Sequence, residues 1–155
     1  RVSLEPRELA ESAAEAARLL CDEEGVELVL ELEGDAPAIR GDREALVRTL
    51  INLLDNARKY GAGPLTLSTL SGEGKVCFVV SDAGAGVPEA QREQIFEAFW
   101  RGGDELTRSR PGVGLGLALG RAVAEAHEGQ LRCEAAPEGG AQFVLSVPAV
   151  KAGQL

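Results

Sequence analysis

A chain of 155 residues, 45% of them hydrophobic, is long enough to bury one substantial core. Its net charge of −9 argues against a nucleic-acid surface, which needs a basic stripe. No apolar run approaches the ~20 residues of a membrane span. Cys21, Cys77 and Cys133 lie far apart without a CxxC pair, so they read as reduced core thiols in a cytoplasmic setting, with no zinc site. The chain contains no methionine and reads as a piece of a longer protein, one compatible with a parent anchored in the inner membrane.

In chain order, Pro6 to Glu24 carries Leu9, Ala13, Ala16, Ala17 and Leu20 at helical spacing, with Gly25 as the stop. Val26 to Leu32 alternates as a strand, and 34–37 is a turn. Asp42 stands where a helix N-cap belongs, ahead of an apolar-periodic run that ends at Tyr60. Leu65 to Leu70 and Val76 to Ser81 form a hairpin around Ser71–Gly74. From Ala83 to Gly116 glycine, proline and charge dominate, interrupted only by the apolar-aromatic patch 95–100. A long loop of this kind inside a compact domain belongs to a lid or a binding loop. A helix resumes over Leu117–His127, and Leu131–Ala135 and Gln142–Val147 close a sheet around Gly139-Gly140. Neither an internal repeat nor a domain boundary is visible.

The stretch TLINLLDNARKY, from Thr49 to Tyr60, carries the most chemistry. At a helical step of 100° per residue, Asn52, Asn56 and Lys59 fall within roughly 60° of one another. Leu46, Val47, Leu50, Ile51, Leu53, Leu54 and Ala57 fill the opposite side. Asparagine is a mediocre helix former but a good neutral oxygen ligand. Two incidental asparagines on a surface helix would give the same pattern.

Two glycine clusters follow. Asp82 ends a strand before Ala83-Gly84-Ala85-Gly86-Val87-Pro88, where a carboxylate can accept from an exocyclic amine while glycine lets a flat ring approach. An Asp-Gly turn is the competing reading. Gly112-Val113-Gly114-Leu115-Gly116 opens the next helix, freeing backbone N–H groups for a phosphate. It is neither a Walker loop nor a dinucleotide fingerprint.

Taken in order, these segments resemble the ATP-binding domain of sensor histidine kinases, of the superfamily that also holds gyrase-type ATPases and Hsp90. Asn52–Tyr60 looks like that family's N box, Asp82–Gly86 its G1 box, Ile95–Phe99 its F box and Gly112–Leu117 its G2 box. The resemblance spans nearly the whole chain. It implies an α+β fold: a two-layer sandwich whose mixed, mostly antiparallel sheet is packed on one face by helices, with a mobile ATP lid over about 88–112. It implies ATP and Mg²⁺ as ligands. Asn56 would hold the metal, Asn52 would support metal and phosphate, and Lys59 would neutralise phosphate. Tyr60 would lie against adenine and Asp82 would accept its amino hydrogen. Gly84, Gly86 and Val87 would border the base and the lid hinge. Gly112, Val113, Gly114, Leu115 and Gly116 would wrap the phosphates. Arg101 is a candidate second phosphate cation; Arg108 and Arg110 compete with a solvated-loop reading. Phe96 and Phe99 would anchor the lid in the core.

Hydrolytic relatives carry Glu four residues before the metal-binding Asn, where it can activate water. Here Asn52 stands at that place, and an amide is no base at neutral pH. Phosphoryl transfer to a histidine is therefore expected, with slow hydrolysis. The acceptor is expected on a separate dimerisation segment, with a response regulator further downstream and the isolated domain monomeric. The sole histidine, His127, reads as a helix-end residue favouring the dipole, with Gly129 at C′. Gly61-Ala62-Gly63, Ala98 and Glu128 depart from the family pattern, the first suggesting a looser strand entry. A stand-alone serine kinase of the anti-sigma type and an ATP-sensing, non-catalytic module are the alternatives.

Overall fold

The computed structural model describes residues 1–98 and 113–151. A short antiparallel pair, β1 (Val2–Leu4) with β3 (Ile39–Gly41), places Ser3 opposite Arg40. Strands of three residues are too short to show alternation, so the sequence did not announce them. Between them, α1 (Pro6–Glu23) starts on proline, whose fixed φ suits the first helical turn. It buries Leu9, Ala10, Ala13, Ala14, Ala17 and Cys21 along one stripe. Gly25, at φ +71°, ends it: its N–H donates to Asp22 O, and Val26 N–H donates to Cys21 O at 2.8 Å.

Helix α2 (Arg43–Tyr60) is capped as expected, with Asp42 Oδ1 accepting from Ala45 N–H at 3.1 Å. Leu46, Leu50, Leu53, Leu54 and Ala57 are buried, whereas Val47 and Ile51 are half-buried at the rim. Thr49 joins the buried face because its hydroxyl donates to Ala45 O at 2.9 Å, leaving no unsatisfied group.

Five strands form the main sheet: β2 (Leu28–Glu31), β4 (Leu65–Gly72), β5 (Lys75–Ser81), β6 (Gln130–Ala135) and β7 (Ala141–Pro148). Their order is β2-β4-β5-β7-β6, with only β2–β4 parallel. The hairpin between β4 and β5 is tighter than its sequence suggests. Gly72 pairs with Lys75 around the two-residue turn Glu73-Gly74, both at positive φ (53° and 77°). That twist matches the strands, so the ladder runs to the turn.

Leu65, Leu67, Val76, Phe78, Val80, Phe143, Leu145 and Val147 alternate onto the helix side of the sheet and are buried there. With α1, α2 and α3 (Val113–Ala126) above them they form the core of the expected two-layer α+β sandwich. Cys133 is buried, and burial pushes its thiol up to about 11. Cys77 has the opposite parity and is only half-buried, so it is not the core thiol anticipated. Among the described residues no helix is long and apolar enough to cross a membrane.

Helix α3 starts at Val113, four residues before the expected Leu117. Glycine is about 1 kcal/mol poorer than alanine inside a helix, which is why the sequence placed the start after Gly116. At its other end Glu128, not Gly129, takes the left-handed C′ position, at φ +60°. Glu128 N–H donates to Glu125 O and Gly129 N–H to Ala124 O, the same closure that Gly25 makes on α1. Gly129 is needed for another reason: a Cβ there would stand 1.9 Å from Ser146 O.

Candidate functional site

Because α2 buries one face in the core, its other face is held open at a cleft beside α3. Asn52, Asp55, Asn56, Lys59 and Tyr60 line this cleft from α2, and Gly116 and Leu117 from α3. The structure thus brings together five residues singled out in the sequence: Asn52, Asn56, Lys59, Tyr60 and Gly116. Among the described residues, a Cβ on Gly116 would make ordinary van der Waals contact with the Asn52 side chain at 3.9 Å, without a clash. Val113 and Gly114 lie with Leu115 in the first turn of α3. Arg101, Arg108, Arg110, Gly112 and Phe99 lie outside the described residues.

Asp55 and Leu117 complete the cleft without having been assigned to it. Asp55 sits 100° round the helix from Asn56, and its pairing with a following arginine resembles an ordinary surface pair. Arg58 Nη2 donates to Asp55 Oδ1 at 3.3 Å, while Nη1 makes the closer contact, 2.6 Å, with Glu24 at the end of α1. The Arg58 side chain is 8% exposed. Burial opposes its charge, but the bonds from Glu24 and Asp55 outweigh it and raise its pKa.

Beyond Tyr60 the chain passes directly over Asp82, which is buried. Asp82 Oδ1 accepts from Gly84 N–H at 2.8 Å and faces Ala141 N–H at 3.4 Å. A Cβ on Gly61 would fall 2.5 Å from Asp82 Cγ and 2.7 Å from Oδ2. The Gly61-Ala62-Gly63 entry, expected to be loose, is therefore closely fitted, with Ala83 N–H donating to Ala62 O at 2.7 Å. Gly140 closes the other side, where a Cβ would stand 2.1 Å from Asp82 O. Gly61 was singled out only as a departure expected to loosen the strand entry, and Gly140 only as a turn residue, since both act through contacts distant in sequence. Asp82 is not among the described residues that line the α2–α3 cleft; its carboxylate lies against Gly61, which follows Tyr60. Gly86, at φ +81°, packs on Gly140, and Val87 is half-buried against the core.

Two short 3-10 turns, Glu89–Gln91 and Gln94–Phe96, occupy the start of the expected lid, and the remainder of that expectation lies outside the described residues. Phe96 is buried, as expected, and Ile95 is buried beside it. Phe96 meets Phe143 edge-on at 6.3 Å, and the Arg121 guanidinium lies 3.9 Å above its ring. Arg121 also donates to Glu93 at 2.8 and 3.1 Å, and these bonds hold the Glu93 carboxyl below its ordinary range.

His127 differs from its sequence reading. It is buried, and Asp42 N–H donates to its Nε2 at 3.0 Å while Nδ1 faces Val123 O at 2.8 Å. An Nε2 that accepts and an Nδ1 that donates define a neutral ring, assigned from these partners. The imidazole therefore ties the end of α3 to the start of α2, in place of a charged residue complementing the helix dipole.

Residues 41–151 match the family model of histidine kinase-, DNA gyrase B- and HSP90-like ATPases. The chain belongs to this family. Its curated relatives include the adaptive-response sensory kinase SasA of Crocosphaera subtropica, 34% identical over 90% of this chain and 37% of that protein. The sensor protein DivL of Caulobacter vibrioides is 40% identical over 80% of this chain and 16% of its own length. The chain thus spans little more than a third of the length of these relatives, or less. Among solved structures, the mycobacterial sensor histidine kinase MprB superposes with a TM-score of 0.79 at 28% identity, covering 96% of this chain and 98% of that one. Full-length ShkA in complex with AMPPNP gives 0.82 at 30% identity, covering 99% of this chain and 32% of its own. With these neighbours the chain is a family member of the histidine kinase type, an ATP-binding catalytic domain.

Proposed function

We propose that the chain binds Mg-ATP between α2 and α3 and donates its γ-phosphoryl group to a histidine on a separate dimerisation segment, in two-component signalling. The observation that carries this reading is the cleft itself: two amides, a lysine and a tyrosine from one helix line it together with Gly116. The donor set suits the metal. Asn52, Asn56 and Asp55 offer hard oxygen ligands, which fit Mg²⁺ better than the softer transition metals. Bound there, Mg²⁺ would supply charge neutralisation of the phosphates.

In this reading Asn56 holds the metal and Asn52 supports it, Lys59 offsets phosphate charge, and Tyr60 covers the base. Asp82, already oriented by Gly84 N–H, accepts from the adenine amino group. The glycine-rich start of α3 faces the phosphates, with Arg101 as a further cation. In the transfer, the bond from the γ-phosphorus to the bridging oxygen breaks and an N–P bond to imidazole forms. ADP leaves, and the imidazole proton passes to solvent. A response regulator then receives the phosphoryl group from that histidine. The bound AMPPNP of ShkA supports a nucleotide in this fold. We place the reaction in the cytoplasm, where ATP is available.

Asn52, in place of a general base, supports transfer over hydrolysis. Single-turnover assays with labelled ATP test this. The 155-residue chain should bind nucleotide, hydrolyse it slowly and acquire no phosphohistidine, because His127 is enclosed between α2 and α3. Addition of a dimerisation segment bearing the acceptor histidine should yield acid-labile phosphate on that segment. Hydrolysis at the rate of a dedicated ATPase, or phosphohistidine at position 127, would refute the reading.

A further inference from the structure

We infer that Asp55 makes the cleft selective for metal-bound nucleotide over the bare triphosphate. The inference rests on the Mg-ATP reading of the cleft. Among the described residues that line it, Asp55 is the one carboxylate, next in sequence to the proposed metal ligand Asn56. A carboxylate in the wall of a triphosphate site is a liability in isolation: like charges at this range repel, and the low-dielectric wall strengthens the effect. With a divalent cation between them the sign reverses. The carboxylate then attracts the metal directly or takes a hydrogen bond from one of the waters that Mg²⁺ retains.

The surrounding ion pairs leave Asp55 suited to that task. Arg58 pairs with it on the same helix, but its closer bond, at 2.6 Å, goes to Glu24; the contact to Asp55 Oδ1 is 3.3 Å. Arg58 is therefore anchored on α1 and steadies Asp55 through one oxygen. The Asp55 side chain keeps 34% of its surface exposed, against 8% for Arg58, so the carboxylate faces open space while its partner is enclosed. Neither neighbouring amide carries charge. Asn52 and Asn56 can ligate Mg²⁺ but do not discriminate strongly between Mg-ATP and ATP, because they neither repel the free polyanion nor add Coulombic attraction to the metal. Asp55 supplies both.

The experiment is a nucleotide titration of the 155-residue chain, by calorimetry or a fluorescent ATP analogue, with saturating Mg²⁺ and again with EDTA. The wild type should bind the Mg-nucleotide more tightly. Asp55→Asn should weaken Mg-nucleotide binding and strengthen bare-nucleotide binding, narrowing their ratio by about tenfold, as expected for one partly solvated charge. Asp55→Ser serves the same purpose if the first variant does not fold. Glu24→Gln disturbs the same arginine from outside the cleft and should leave the ratio unchanged. Binding of Mn²⁺-nucleotide followed by water-proton relaxation gives a second readout, with Asp55→Asn changing the hydration of the bound ion. A wild-type chain that binds no nucleotide would overturn the reading of the cleft, and the role of Asp55 with it. Nucleotide binding with an unchanged ratio in both Asp55 variants would overturn the role of Asp55 alone. An equal shift in Glu24→Gln would also overturn it, by assigning the effect to Arg58.

Discussion

The Asp82 end and the Asn56 end of the proposed site are built on opposite principles. Around Asp82 the protein packs against itself: Gly61 and Gly140 leave less room than one methyl group needs, and Oδ1 is held by Gly84 N–H. Around Asn56 the polar side chains of the cleft are half-buried or exposed, and among the described residues a methyl group on Gly116 would make ordinary contact with Asn52. One end is part of the fold and the other is a surface held ready. Substitutions at the first should therefore lose stability and binding together, whereas at the second binding should change while the fold persists.

The strongest challenge to this contrast is Gly140→Ala, where a Cβ would press on Asp82 O from a backbone at φ +89°. Overpacking of about 1–3 kcal/mol adds to a left-handed penalty of about 1–2 kcal/mol, so urea denaturation should show a loss of several kcal/mol. A loss below about 0.5 kcal/mol, typical of a neutral surface change, would mean that the Asp82 end is not packed as described. Asp82→Asn comes next. Removing an ionised acceptor is worth about 1.5–3 kcal/mol, so nucleotide affinity should fall roughly 10- to 150-fold in a direct titration.

Asn56→Ala probes the open end. Its thermal midpoint should stay close to wild type, because no described hydrogen bond ties the side chain to the core, while the Mg²⁺ dependence of nucleotide binding should disappear. A large drop in the midpoint would show that this end, too, is structural. The smallest effects separate the two ends most finely. Gly116→Ala should raise stability by up to about 1 kcal/mol through helix propensity and weaken ATP binding by filling the cleft. Glu128→Gly, remote from the cleft, should stabilise by about 1 kcal/mol through relief of its left-handed backbone and leave nucleotide affinity unchanged.

The same division explains what was legible in the sequence. The α2 stripe follows from helical periodicity, so the placement of Asn52, Asn56 and Lys59 on one face could be read residue by residue. The cap at Asp42, the hairpin and the stop at Gly25 are likewise local, each set by a few neighbouring dihedrals. Asp55 was overlooked because position on a helical wheel does not say where a second helix will stand. His127 was read as a helix-end residue complementing the dipole because its Nε2 partner, Asp42 N–H, lies 85 residues away in sequence. Gly61 was marked only as a departure expected to loosen the strand entry, and Gly140 only as a turn glycine, because the contacts of both with Asp82 are distant in sequence.

By itself the sequence determined the elements that depend on spacing, the apolar faces that make the core, and the family whose motifs recur in order from Asn52 to Leu117. Only the tertiary structure decided which atoms close on Asp82, that α3 begins at Val113, that Asp55 shares the cleft and that His127 joins two helices. The reason is physical. Periodicity and capping are set within one or two turns of chain, whereas a steric limit such as that between Gly140 and Asp82 exists only once segments far apart in sequence have packed.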